Sequence, residues 1–171
     1  MKKSIKIVSL FAASALLLAG CKKAMTPEQA KDYANKNYSQ DTVDEKYSGC
    51  SFTMTTKVNK ATGLFEGLVK DDTGSAQTGN LLVLSASIIT DYTDETGIQF
   101  AIKGSNMLVD YTYTATLGSA TVNYTMEVTY SKEGLLSKTV SNGKAEIKDN
   151  KVLKDGVLDI TYTTDYTYTT K

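Results

Sequence analysis

Two thiols, Cys21 and Cys50, are the most reactive side chains in this 171-residue sequence, which contains neither histidine nor arginine. Without histidine there is no Ser-His or Cys-His pair to activate a nucleophile and no imidazole to hold zinc. Serines and lysines fall on polar strand faces and turns with no spacing suited to Ser-Lys chemistry. The acidic clusters are Asp71-Asp72 and Asp91, Asp94 and Glu95. The second, in Asp91-Tyr92-Thr93-Asp94-Glu95-Thr96-Gly97, lacks the ligand spacing of an EF-hand loop and reads as a solvated acidic turn. Glycines are placed as turn formers, with no phosphate cradle among them. Asn123-Tyr124-Thr125 fits the glycosylation pattern, but within a strand it reads as a chance match. Cys50 lies in phase with Phe52 and Met54, so it is expected to point inward as a small hydrophobe. The sequence therefore reads as a non-enzyme without cofactor or metal.

Cys21 has a different context. Met1-Lys2-Lys3 is followed by an apolar run from Ile7 to Ala19 and then by Leu18-Ala19-Gly20-Cys21. Charged start, short apolar stretch and small residues are the layout of an exported precursor. The apolar run is shorter than the roughly 20 residues of a membrane span, and Lys6 and Lys22 bracket it. With its cysteine, the stretch resembles the lipobox of bacterial lipoproteins. The resemblance implies cleavage before Cys21, a diacylglycerol on its sulfur, and an extracytoplasmic protein attached to the membrane through that lipid. Lys22 is not the aspartate that retains such proteins at the inner membrane, so in a cell with two membranes the outer one is the default. The expected organisation is a signal peptide over 1–20, a lipidated tether over 21–25 and one β-rich domain over 26–171. Removing residues 1–20 takes three lysines from a neutral chain, which leaves a slightly acidic domain. With no basic stripe, nucleic acid is not an expected partner.

The elements of that domain follow from periodicity. Thr26-Pro27-Glu28-Gln29 is a helix start with a cap, a first-turn proline and a capping box. Ala30, Tyr33, Ala34 and Tyr38 then recur at helical spacing, predicting a helix over 27–38. Residues 39–48 are polar, with a further helical turn near Val43 to Tyr47. From Cys50 the period becomes two: Cys50, Phe52, Met54, Thr56 and Val58 share one face of a strand. Residues 64–70 read as its return strand, 71–80 as a loop and 81–92 as the most apolar strand. Alternation continues in Ile98-Phe100-Ile102, in Met107 to Ala115, in Ala120 to Tyr130 and in Leu158 to Tyr168. Asn142-Gly143 reads as a bulge or a hairpin within 135–148. Turns every dozen residues indicate antiparallel strands. The fold class is α+β, mostly β: an N-terminal helix followed by about eight antiparallel strands in a curled sheet, half-barrel or small barrel.

Roughly eight strands at about 4.8 Å make a sheet roughly 38 Å wide, while a helix of a dozen residues is about 18 Å long and 10 Å across. One such helix leaves much of an apolar face to be buried by curling, a second sheet, a partner or a ligand. The order of lipidated cysteine, helix and antiparallel strands is similar to the half-barrel lipid and lipoprotein carriers of the LolA/LolB and LppX/LprG type. Lys132-Glu133-Gly134-Leu135-Leu136, followed by two closing strands, looks like the end of those domains. The resemblance rests on layout over most of the mature chain. LolA-type carriers hold their helical lid with a lumen arginine, which this chain lacks, so that mechanism does not carry over. What the resemblance implies is an apolar cavity lined by Phe52, Met54, Phe100, Ile102, Tyr111, Tyr113, Tyr124, Met126 and Tyr130, with the helix as cover and a lipid-like ligand inside. The alternative is a structural or interaction module of the cell envelope that binds a protein or a polysaccharide.

Overall fold

Strict alternation over β6 (Asn106–Leu117) and β7 (Ala120–Tyr130) sorts their side chains onto two faces, and pairing keeps the sorting in register. Met107 lies opposite Tyr130, Val109 opposite Val128, Tyr111 opposite Met126 and Tyr113 opposite Tyr124. These residues form the inner, apolar face. Asp110, Thr112, Thr114, Asn123, Thr125 and Glu127 fall on the outer face. The computed structural model describes residues 21–171, so the basic start, the apolar run and Leu18-Ala19-Gly20 lie outside the described residues.

The remaining strands are β1 (Lys22–Met25), β2 (Tyr47–Ala61), β3 (Asp72–Thr73), β4 (Gln77–Gly79), β5 (Thr96–Lys103), β8 (Leu136–Ile147) and β9 (Gly156–Thr170). All pairings are antiparallel. The strand order is β1-β5-β6-β7-β8-β9-β2-β3, with β4 also on β2, in one nine-stranded sheet. β1 and β3 stay at the two edges, so the sheet is curled but not closed into a barrel. Extra residues at register shifts in β2, β5 and β8 supply local bends.

Three α-helices lie among the described residues: α1 (Pro27–Asn37), α2 (Gln40–Lys46) and α3 (Ala86–Tyr92). At α1 the Thr26 hydroxyl accepts from Gln29 N–H at 3.2 Å and the Gln29 side chain accepts from Thr26 N–H at 2.9 Å, the expected capping box. α2 realises the helical turn expected before Tyr47, capped by Ser39.

Several expectations are overturned. Residues 21–25 are not a free tether: Lys22–Met25 pairs rung by rung with Phe100–Lys103. The 81–92 segment is not a strand. Val83 makes one bridge to Leu135, and Ser85 then caps α3 by accepting from Ile88 N–H. Ile89 is buried, with Ile88 and Tyr92 packed beside it, so docking overrides the strand preference of isoleucine. Residues 64–70 are not a return strand: a 3₁₀ turn at Gly63–Phe65 is followed by turns and irregular chain, and the supposed loop 71–80 supplies β3 and β4. Asn142-Gly143 is neither hairpin nor bulge but continuous strand, and Gly143 is needed there because a Cβ would stand 2.4 Å from the Tyr124 ring.

The inner face has three covers. Over β5–β7, Ala30 and Ala34 of α1 and Leu84 and Ile89 at α3 pack on Phe100, Met107, Val109, Val128 and Tyr130. At the other end of the strands, Phe65 plugs against Ala120, Val122, Ala145, Leu158 and Ile160. Beside β2, Val43 of α2 packs with Val83 and Leu135. The single helical cover expected from sequence is thus replaced by three α-helices and an aromatic plug.

Candidate functional site

The predicted cavity residues share the inner face, but the covers divide them. Phe100 and Tyr130 are buried in the helix-covered core, at 2% and 5% exposure, with Ile102, Tyr111 and Met126 packed at its margin. Tyr113 and Tyr124 belong to the Phe65 end, stacked in parallel at 4.9 Å between ring centroids. Met54 is 48% exposed. The residues therefore do not line one cavity: Phe100 is core with Ile102, Tyr111 and Met126 at its margin, Tyr113 and Tyr124 line a concavity on the outer face, and Phe52 and Tyr130 line an aromatic cleft.

That cleft has a volume of about 400 Å³ and opens between β2, β9, β4 and α3. Phe52 and Tyr166 are opposite one another on β2 and β9, with rings 5.5 Å apart. Tyr168, Tyr130 and Leu136 continue the surface, Ile88 of α3 faces it, and Thr78, Gly79, Asn80 and Leu82 form its rim. Gly79 lets β4 come close: a Cβ there would stand 2.9 Å from Cys50 Sγ and 3.3 Å from the Phe52 ring. The rim is tied down by Gln40, whose amide donates to Leu81 C=O at 2.6 Å and accepts from Val83 N–H at 3.1 Å. Leu84 N–H donates to Gly134 C=O at 2.8 Å. Leu82, between these anchors, is 59% exposed at the mouth.

Most polar tips near the cleft are already engaged. Tyr168 donates to Leu136 C=O at 2.6 Å, and the Tyr92 and Tyr130 hydroxyls share a bond of 2.7 Å. Burial raises the phenol pKa of Tyr130 well above its ordinary range, raises that of Tyr166, and pushes Tyr111 and Tyr124 up to about 12. These rings stay neutral at physiological pH. The cleft offers aromatic and aliphatic contact rather than acid, base or nucleophile. Leu82, Ile88, Leu136, Tyr166 and Tyr168 were absent from the predicted lining. The phase of β9 pointed to the two tyrosines, whereas Leu82 and Ile88 were hidden by reading their segment as a strand.

The outer face carries a second concavity of about 660 Å³, floored by β6–β9 and lined by Thr112, Thr114, Asn123, Thr125, Asn142 and Lys144 together with Tyr113 and Tyr124. Asn142 accepts from Thr161 at 2.9 Å and Lys144 lies 3.5 Å from Asp159. Cys21 is exposed and adjoins Lys22, whose ammonium sits 3.3 Å from Asp110 and 3.5 Å from Glu127. No set of three or more His, Cys, Asp or Glu side chains positioned to hold a metal occurs among the described residues. No described helix is long and apolar enough to cross a membrane.

No protein-family model, no curated protein and no solved structure matches the chain.

Proposed function

We propose that the protein is an extracytoplasmic lipoprotein, anchored through Cys21, whose aromatic cleft takes up an apolar, lipid-like moiety. The observation that carries this reading is the cleft itself. Its volume of about 400 Å³ falls within the roughly 300–1,000 Å³ of ligand sites, and it is lined by the rings of Phe52, Tyr130, Tyr166 and Tyr168, of which Tyr130 and Tyr168 turn their hydroxyls to internal partners. Its Tyr130, Leu136 and Tyr168 lie on the rungs near the end of the sheet where Cys21 emerges, within reach of a bilayer holding such a ligand.

A fluorescent polyene fatty acid titrated into residues 21–171 tests the cleft. Saturable binding is expected, and Thr78→Trp, which fills the mouth from an exposed rim position, abolishes it without altering the melting curve. Absence of saturable binding by the wild type overturns the reading. Metabolic labelling with palmitate tests the anchor: label is expected on the wild type and lost in Cys21→Ser.

The outer concavity supports a second reading, an envelope module that binds a polysaccharide or protein through Thr112, Asn123, Thr125 and Asn142. Thr125→Trp separates the two. It blocks the outer concavity and leaves fatty-acid uptake unchanged.

A further inference from the structure

β1 begins at Lys22, so one peptide unit, about 3.8 Å between Cα atoms, separates Cys21 from a fully paired strand. A chain held at Cys21 is therefore held at a defined end of the sheet. The same end carries the β5–β6 turn at Gly104-Ser105, because Lys22 pairs with Lys103, and the loop after β7, because Tyr130 pairs with Met107. These segments bring Lys22, Lys23, Lys103 and Lys132 to it, all exposed.

The lysines differ in what they have for company. Lys22 lies directly opposite Lys103, an unfavourable like-charge pair. Lys22 turns to Asp110 and Glu127 on the outer face. Lys23, Lys103 and Lys132 form no ion pair with a carboxylate among the described residues. The nearby Glu133 is engaged by Lys46 and by the Tyr47 hydroxyl. Asp41, Asp44 and Glu45 lie on α2, which meets the loop after β7 through Val43 on Leu135 and Lys46 on Glu133, so acidic residues share that side with Lys132, while Lys23 and Lys103 stand on β1 and β5 at the other side of the sheet order.

We propose that the Cys21 end of the sheet is a membrane-contact surface, on which Lys23, Lys103 and Lys132 engage anionic phospholipid headgroups and stand the strands upright on the bilayer. A lysine near an anionic surface gains about one kcal/mol. The lipid on Cys21 holds the protein at the membrane and the lysines set its pose. The proposal rests on the anchored reading for attachment alone.

Residues 21–171, which hold every described element, carry the test with Cys21→Ser in place, so no acyl group contributes. The chain is expected to bind vesicles of equimolar phosphatidylglycerol and phosphatidylcholine, more weakly as salt rises, and not vesicles of phosphatidylcholine alone. K23Q/K103Q/K132Q lowers that binding on the order of a hundredfold. K148Q/K151Q/K154Q, in the loop at the far end, leaves it unchanged. Equal binding to both vesicles, or equal loss in the two triple variants, overturns the proposal. The pose is read on the acylated full chain in the same anionic vesicles with a membrane-impermeant maleimide. Ser105→Cys is expected to be protected and Ser119→Cys, at the other end of β6, to react freely, while equal reactivity overturns the upright pose. Loss of palmitate label with retained lysine-dependent vesicle binding would remove the anchor and leave the contact surface standing.

Discussion

The two ends of the inner face bury similar strand surfaces by different means. At the Cys21 end, α1 and α3 lay Ala30, Ala34, Leu84 and Ile89 over Phe100, Met107 and Val109, so many small contacts share the load. At the far end, one ring, Phe65, is set down by a 3₁₀ turn onto Ala120, Val122, Ala145, Leu158 and Ile160. Small residues there make room for the ring. A cover built from helices can leave a gap where two elements fail to meet, and the aromatic cleft is such a gap, between α3 and β2–β9. A plug leaves none. The difference explains why the candidate site lies at the helical end.

The largest effect should come from the plug. Phe65 is fully buried, and Phe65→Ala is expected to cost about 3–5 kcal/mol in urea unfolding. Ile89→Ala, at the shared cover, should stay nearer the lower end of roughly 2–5 kcal/mol. A smaller loss from Phe65→Ala than from Ile89→Ala would break the comparison. Next in size is Gly143→Ala, which sets a methyl 2.4 Å from the Tyr124 ring. It should cost about 1–3 kcal/mol and change the near-ultraviolet circular dichroism of the Tyr113–Tyr124 stack.

A gain is expected at Tyr38. Its hydroxyl is buried without a hydrogen-bond partner among the described residues, so Tyr38→Phe should raise stability by about 1 kcal/mol, read as a higher urea midpoint with an unchanged slope. The ring must stay, because Gly134, at φ 79°, leaves space for it: a Cβ there would come within 2.5 Å of Tyr38.

The smallest effect concerns the outer face. The Asp110 carboxyl is held above its ordinary range, first by burial and also by Glu127 opposite it, with Lys22 pulling the other way. The folded state then keeps the proton to higher pH than the unfolded chain, so stability at this site falls as pH rises from the ordinary aspartate value through the raised one. Relative to Asp110→Asn, the wild type should lose ground across that interval and hold a constant deficit above it. Melts from pH 3 to pH 7 check this. A relative gain by the wild type would reverse the sign.

The sheet was legible where side chains alternate. β6, β7, β9 and the apolar phase of β2 follow from period two alone, because a half-buried strand must sort its residues. The capping box of α1 was equally plain. Segments whose structure depends on distant partners were not legible. β1 is four residues that become a strand through β5, nearly eighty positions away. Ile88-Ile89 looks like strand until Ser85 caps it and the core receives it. The candidate cleft draws on residues near 52, 78–82, 88, 130, 136 and 166–168. No local pattern links these stretches, and a cleft is defined by where covers stop as much as by the face beneath them.

Lys22–Met25 has a mechanical consequence. Its four rungs on β5 take any pull exerted on Cys21 along the strand axis, as shear across several hydrogen bonds at once. There is no slack to extend before the sheet feels the load. If Cys21 carries the proposed lipid, the molecule cannot fish for a distant partner, and whatever it meets must come within a strand's length of the membrane.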